Sequence, residues 1–274
     1  MRKTTIALLT LTAILLPAAL QAGTATTKSE RLAASVLHGD LGVNFVSEYI
    51  GRGVVAERKG VIAQPYVNLY LTMYEGNGCI QKVTLDLGLW SSVHSRRNSW
   101  FELDYSPGVS VNFAQDFLLV AHYLGVNSPA NAFRTSHNLN FTLAYDDARL
   151  LGAWALNPHF TYLRELQGKV GNGPSCGNYY NVGIAPALPS CGPVTFSLPV
   201  NAGFGNAGFY RDNKTFGFFS SGVNAAVPLP CPPAFGQWAL NFGATYYYLP
   251  KHQVEAERIS QNRVVFMGGV GMSF

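Results

Sequence analysis

Charge is scarce in this chain. Asp, Glu, Lys and Arg make up 12% of its 274 residues, against about 25% in an ordinary globular protein. Setting Arg2 and Lys3 aside leaves 17 basic residues against 15 acidic ones. That balance is too even, and too scattered, for a nucleic-acid footprint. Beyond the first twenty-odd residues no run of about 18 apolar residues occurs, which excludes a spanning helix there. Four cysteines without a C-x-x-C spacing, and six histidines without a cluster, leave no ligand set for zinc. No metal or cofactor is expected.

Aromatics are abundant at 13%, with 28 glycines. The opening "MRKTTIALLTLTAILLPAALQAG" has a basic start, a short apolar run and a small-residue cleavage site. It reads as a secretory signal over 1–22 rather than a membrane anchor. Residues 23–39 read as an N-terminal periplasmic segment, and 40–274 as one barrel. A secreted, charge-poor, aromatic-rich chain without a spanning helix points to an all-β, transmembrane, antiparallel up-and-down β-barrel.

The alternation agrees. In "KVTLDLGLW" Val83, Leu85, Leu87 and Leu89 share one parity, against Lys82, Thr84 and Asp86 on the other. "SWFELDYSPGVSVNF" and "HNLNFTLAYD" repeat the pattern. A soluble sandwich also alternates, but here the charges sit at mid-strand on the polar face, as in a hydrated lumen. About twelve such segments occur, near 40–53, 60–74, 79–92, 99–114, 117–127, 134–146, 153–165, 178–187, 193–204, 215–227, 237–249 and 264–274. Those at 117, 193 and 215 are the faintest. Short periplasmic turns and longer external loops are expected.

The chain ends in "RVVFMGGVGMSF", with Phe266, Val270, Met272 and Phe274 on one parity. This strand is expected to close the ring against the first. A terminal strand ending in Phe resembles the signal that bacterial outer-membrane barrels present to their assembly machinery. The expected partners are thus outer-membrane lipid, that machinery, and small solutes or ions, with no nucleic acid.

Lys82, Asp86, Glu102 and Asp104 are expected to line the lumen as mixed charges. Gln64, Asn68, Asn112, Asn138, Asn140, Asn157 and Asn241 would be the neutral lining. The matching function is a porin-like channel for passive diffusion, with selectivity set by width and lining charge. If those charges pair, the barrel is instead a closed structural or adhesion protein. An outer-membrane hydrolase would need a nucleophile and a base in reach. His94 with Ser95 and Ser99, or His137 with Ser136, are its only candidates, and none forms a signature, so no enzyme is expected. "GFGNAG" (203–208) satisfies a nucleotide-binding spacing but lacks a following helical pattern, and reads as an external loop. In an oxidising compartment, Cys191 and Cys231 in neighbouring periplasmic turns are the disulfide candidates. Cys79 would share that rim, and Cys176 would lie across the membrane.

"VNFVSEYIGRGV" (43–54), with Ser47, Tyr49, Arg52 and Gly53, followed by "QPYVNLYL" and later "FELDY", resembles the TorF-like porin family. The likeness is scattered over most of the chain, and the stretch 187–236 departs from it. It implies a small outer-membrane barrel without a defined substrate or catalytic residues. Arg52 has two readings: an inward pair with Glu102 or Asp104, or a rim position packed on Tyr49. The second is the one favoured from sequence.

Overall fold

A computed structural model describes residues 36–96, 99–255 and 258–274. The signal at 1–22 and the segment from 23 to 35 lie outside the described residues. The strands are β1 Leu37–Val46, β2 Tyr49–Gly51, β3 Val54–Glu57, β4 Ile62–Glu75, β5 Ile80–His94, β6 Ser99–Phe113, β7 Phe117–Asn127 and β8 Ser136–Tyr145, then β9 His159–Gln167, β10 Asn178–Ile184, β11 Ala187–Cys191, β12 Val194–Ser197, β13 Val200–Asn206, β14 Phe216–Pro228, β15 Gln237–Tyr248 and β16 Asn262–Ser273. All but β2, β3, β11 and β12 form one antiparallel ring of 12 strands. Each pairs with its chain neighbour in the ring, and β16 returns to β1. Closure removes every edge, which a membrane interior requires.

The seam shows how the terminal strand is held. Phe274 N–H donates to Gly39 O at 3.0 Å, and Gly39 N–H donates to Phe274 O at 3.1 Å. A Cβ at Gly39 would lie 2.5 Å from the Asn68 carbonyl and 3.0 Å from the Phe274 ring. Gly39→Val therefore pries β1 from β4 and lifts Phe274. Overpacking of this kind costs about 1–3 kcal/mol. The expected outcome is a lower temperature for the heat-dependent mobility shift of the folded barrel on a denaturing gel.

The barrel is apolar outward and polar inward. Leu85, Leu87 and Leu89 are 42–43% exposed, whereas Thr84 and Asp86 between them are 3% and 7% exposed. Outward aromatics band the two ends. Phe113, Phe117 and Tyr145 stack near the rim that carries the C-terminus. Toward the distal rim Tyr105 lies beside Tyr123, and Tyr162 beside Tyr180, at 5.8 and 5.5 Å between ring centres. Such girdles mark the two membrane–water interfaces.

Several expectations are corrected. The first strand stops at Val46, and the residues after it turn back as a separate β2–β3 hairpin. The ninth ring strand is β13, starting at Val200 rather than 193. Ahead of it the β11–β12 hairpin is laid on the end of β14. Turns at the terminal rim are short at 76–79 and 114–116, but 146–158 carries a helical turn, α1 Ala148–Leu151, and 185–199 carries that hairpin. Asn157 belongs to the first of these long turns and not to the lumen lining. It sits at φ 49° with its amide N–H on the Asp147 carboxylate at 2.8 Å. Pro158 cannot donate to a ladder, and β9 begins only after it.

The cysteine pairing also fails, since all four described thiols are free. Cys191 lies on β11, and β12 separates it from β14, which leads to Cys231. Cys176 lies in the β9–β10 loop at the distal rim, its thiol on Gly168 O.

Candidate functional site

Antiparallel registry decides which side chains meet inside. On the terminal half, Lys82 pairs with Glu75 at 3.7 Å. Asp86 faces His122 at 3.2 Å and accepts from Ser110 Oγ at 3.1 Å. Asn68 donates to Asp40 at 2.8 Å. Asn112 sits opposite Lys82 on β6, Asn241 faces Gly271, and Gln64 lies on the inward parity of β4. At mid-height Asn138 donates to Leu124 O, Thr142 meets Thr161, and Asn201 accepts from Asn181 and contacts His159, all within 2.9–3.0 Å. Asn140 is buried beside them with its carbonyl oxygen unpartnered. The inward face of β7, by contrast, is largely apolar, with Leu118, Val120, Leu124 and Val126 buried around His122.

The charges expected as an open lining are therefore engaged. Lys82 and Asp86 have the partners just named. Glu102 and Asp104 are buried at 5% and 2% exposure, beneath a mouth that is filled from the loops. The β2–β3 hairpin folds into the distal opening. Tyr49 packs with Ile62, Tyr66, Trp90 and Phe101. Ile50 and Val55 pack on a second cluster built from Leu163, Tyr179, Phe209, Tyr210, Phe218, Leu249 and Val254. Phe209, Tyr210 and Val254 come from two other distal loops, so three loops meet in one apolar plug.

Arg52 sits at the hairpin tip with φ 52°, between Gly51 and Gly53. It is 5% exposed, which overturns the rim position favoured from sequence. Tyr210 Oη donates to its carbonyl at 2.8 Å. Its guanidinium lies within longer-range electrostatic reach of both Glu102 and Asp104 but forms no ion pair with either, and its Nε is buried without a hydrogen-bond partner. Tyr49 Oη donates to Glu102 Oε2 at 3.0 Å, and the Asp104 carboxyl lies beside that of Glu102. Two straps hold the plug from outside: Glu165 accepts from the N–H groups of Val170, Gly171 and Gly177 at 2.6–2.8 Å, and Arg263 pairs with Glu48. In the loops of the plug, burial raises the Tyr210 hydroxyl well above its usual range and lowers His252.

Of the Ser and His candidates, Ser95 Oγ accepts from Val61 N–H at 2.8 Å and Ser136 Oγ donates to Asn138. His137 points outward against the Tyr123 hydroxyl. His94 meets Ser92 at 2.8 Å, with both side chains fully sealed. In "GFGNAG", Gly203 to Asn206 finish β13, and the next helical turn is the short Arg211–Asn213.

The fold and the outward belt define the class: a closed antiparallel 12-strand β-barrel with the apolar outer face of a membrane-spanning barrel. No family model and no curated protein matches the chain. Among solved structures it is similar to the NanC porin, at 11% identity and a TM-score of 0.44 over 85% of this chain and 98% of that one. It is also similar to the transport unit of the autotransporter AIDA-I from Escherichia coli, at 10% and 0.43 over 92% and 94%. A further porin matches at 10% and 0.32 over 87% and 99%. These are likenesses of shape alone.

Proposed function

We propose that this barrel is an outer-membrane channel of the porin kind, shut at its outer mouth by the β2–β3 hairpin and preferring small cations. The distal rim then faces the cell exterior. The observation that carries the reading is Arg52, a buried cation on a separately folded hairpin, held over inward carboxylates at the top of a polar lumen. The likeness of Ser47, Tyr49, Arg52 and Gly53 to the TorF-like porins supports it. Inward acids outnumber the free inward bases: Asp40 and Asp86 face only the imidazole of His122, since Lys82 is matched by Glu75, and the adjacent Glu102–Asp104 pair faces Arg52. No catalysis is part of this reading.

A second reading, a permanently closed structural or adhesion barrel, is favoured by the burial of so much of the interior. Conductance in a planar bilayer separates the two. Rare conducting steps with cation preference are expected, and Asp86→Asn is expected to reduce that preference. A unit charge about 7 Å from a permeating ion in water is worth about 0.6 kcal/mol, or about a threefold change in permeability ratio. Folded protein that never conducts, with the hairpin present or shortened, would leave only the closed barrel.

A further inference from the structure

The outward face holds one anomaly. Along the ring strands, Arg164 is the one Lys, Arg, Asp or Glu on the lipid-facing parity among the described residues. Its cross-strand neighbours are Leu139 on β8 and Asn178 on β10. Leu139 in turn pairs with Tyr123, which sets Arg164 level with the distal aromatic girdle, the height of lipid headgroups. No carboxylate among the described residues pairs with it.

The hydrogen bonds around it run in one direction. Arg164 Nη1 and Tyr162 Oη both donate to Asn178 Oδ1, at 3.1 and 2.9 Å. Asn178 Nδ2 donates to Asn206 Oδ1 at 2.7 Å. Asn206 Nδ2 donates to Tyr180 Oη at 3.1 Å. Each amide oxygen is thus occupied, while the Tyr180 hydroxyl proton and the remaining guanidinium N–H groups stay unspent. A guanidinium offers five donors in a planar fork that matches the oxygens of a phosphate. A patch that ends in unspent donors and one positive charge takes an anion. It repels a cation and gives a neutral group little.

We infer that Arg164, Asn178, Asn206 and Tyr180 form a binding site for the phosphate of an outer-leaflet lipid headgroup. The lipid source follows from the height of the site and from the apolar wall below it. Leu139, Phe141 and Val182 flank the strands there on the same outward face, where acyl chains lie. The site is independent of whether the lumen conducts.

The test uses the refolded barrel in dodecylmaltoside, with lipid retention read by native mass spectrometry and unfolding temperature read alongside. The probes are lipid A with both phosphates, the same lipid stripped of phosphate, and inorganic phosphate alone. Wild type is expected to retain the phosphorylated lipid at least tenfold better than the stripped one. Arg164→Gln, on an exposed face, should keep the fold and lose that preference, while Arg164→Lys should keep part of it. Equal retention of both lipids, or an unchanged preference in Arg164→Gln, would overturn the site. Stabilisation by inorganic phosphate equal to that by the lipid would overturn the lipid as its source.

Discussion

Replacing residues 49–60 by Gly-Gly is expected to convert a closed barrel into one that conducts steadily. Val46 on β1 is paired directly with Ile62 on β4, so a five-residue connection closes the gap without touching the ring. The lost segment contributes no ring strand, as β2 and β3 pair only with each other. What is lost is the docking of Tyr49, Ile50 and Val55. Burying each such side chain is worth about 1.5–3 kcal/mol, or roughly 5 kcal/mol for the three. That bias holds a two-state gate shut by about a thousandfold or more. Channel recordings should pass from rare or absent openings to a long-lived open level, with the heat-dependent gel shift nearly unchanged. A folded but silent variant would show that the barrel is occluded below its mouth, and the channel reading would then fail.

The ring was legible because its signal is local. Strands such as β5, β6 and β8 carry strict alternation with polar residues on one parity, and register follows from burial of that parity. The faint strands were faint for physical reasons. β7 is apolar on both faces, because Leu118, Val120, Leu124 and Val126 face inward to pack rather than to wet a lumen. β13 is glycine-rich because Tyr210 and Phe218 cross its inner face. A Cβ at Gly203 would lie 2.2 Å from the Phe218 ring, and one at Gly205 2.8 Å from Tyr210.

The mouth was not legible, because it is made by contacts between loops far apart in the chain. Arg52 and Tyr210 are 158 positions apart. The one local hint was an arginine between two glycines, where a turn with positive φ is cheap. Reading it as a rim residue placed it at the end of a first strand over 40–53, whereas β1 stops at Val46. The Phe209–Tyr210 pair within a Gly- and Asn-rich loop was the matching hint on the other side, since two adjacent large aromatics seldom face only water.

Arg52→Met tests whether the mouth is shut by charge as well as by apolar packing. The substitution keeps most of the stem and the same backbone, but removes the positive charge whose field reaches the buried Glu102 and Asp104. Losing a longer-range attraction of this kind is worth about 1–3 kcal/mol at an effective dielectric near 20, less than the docking of the hairpin itself. The structure can relieve this by undocking β2–β3 and letting water reach the carboxylates, at far less cost than unfolding the ring. The expected results are a rise in open fraction and protease cleavage within 49–60, with little change in ring stability. Asp104→Asn alone should change little, because Glu102 keeps its hydrogen bond from Tyr49 and the field of Arg52. Combined with Arg52→Met it should restore part of the closure, giving a coupling of about 1–3 kcal/mol in a double-mutant cycle. If Arg52→Met stays as tightly shut as wild type, the guanidinium is a passenger on an apolar plug. If it opens and Asp104→Asn closes it again, the acids that line the lumen also hold its gate. Any cation drawn to Glu102 and Asp104 then competes with Arg52 for the same carboxylates.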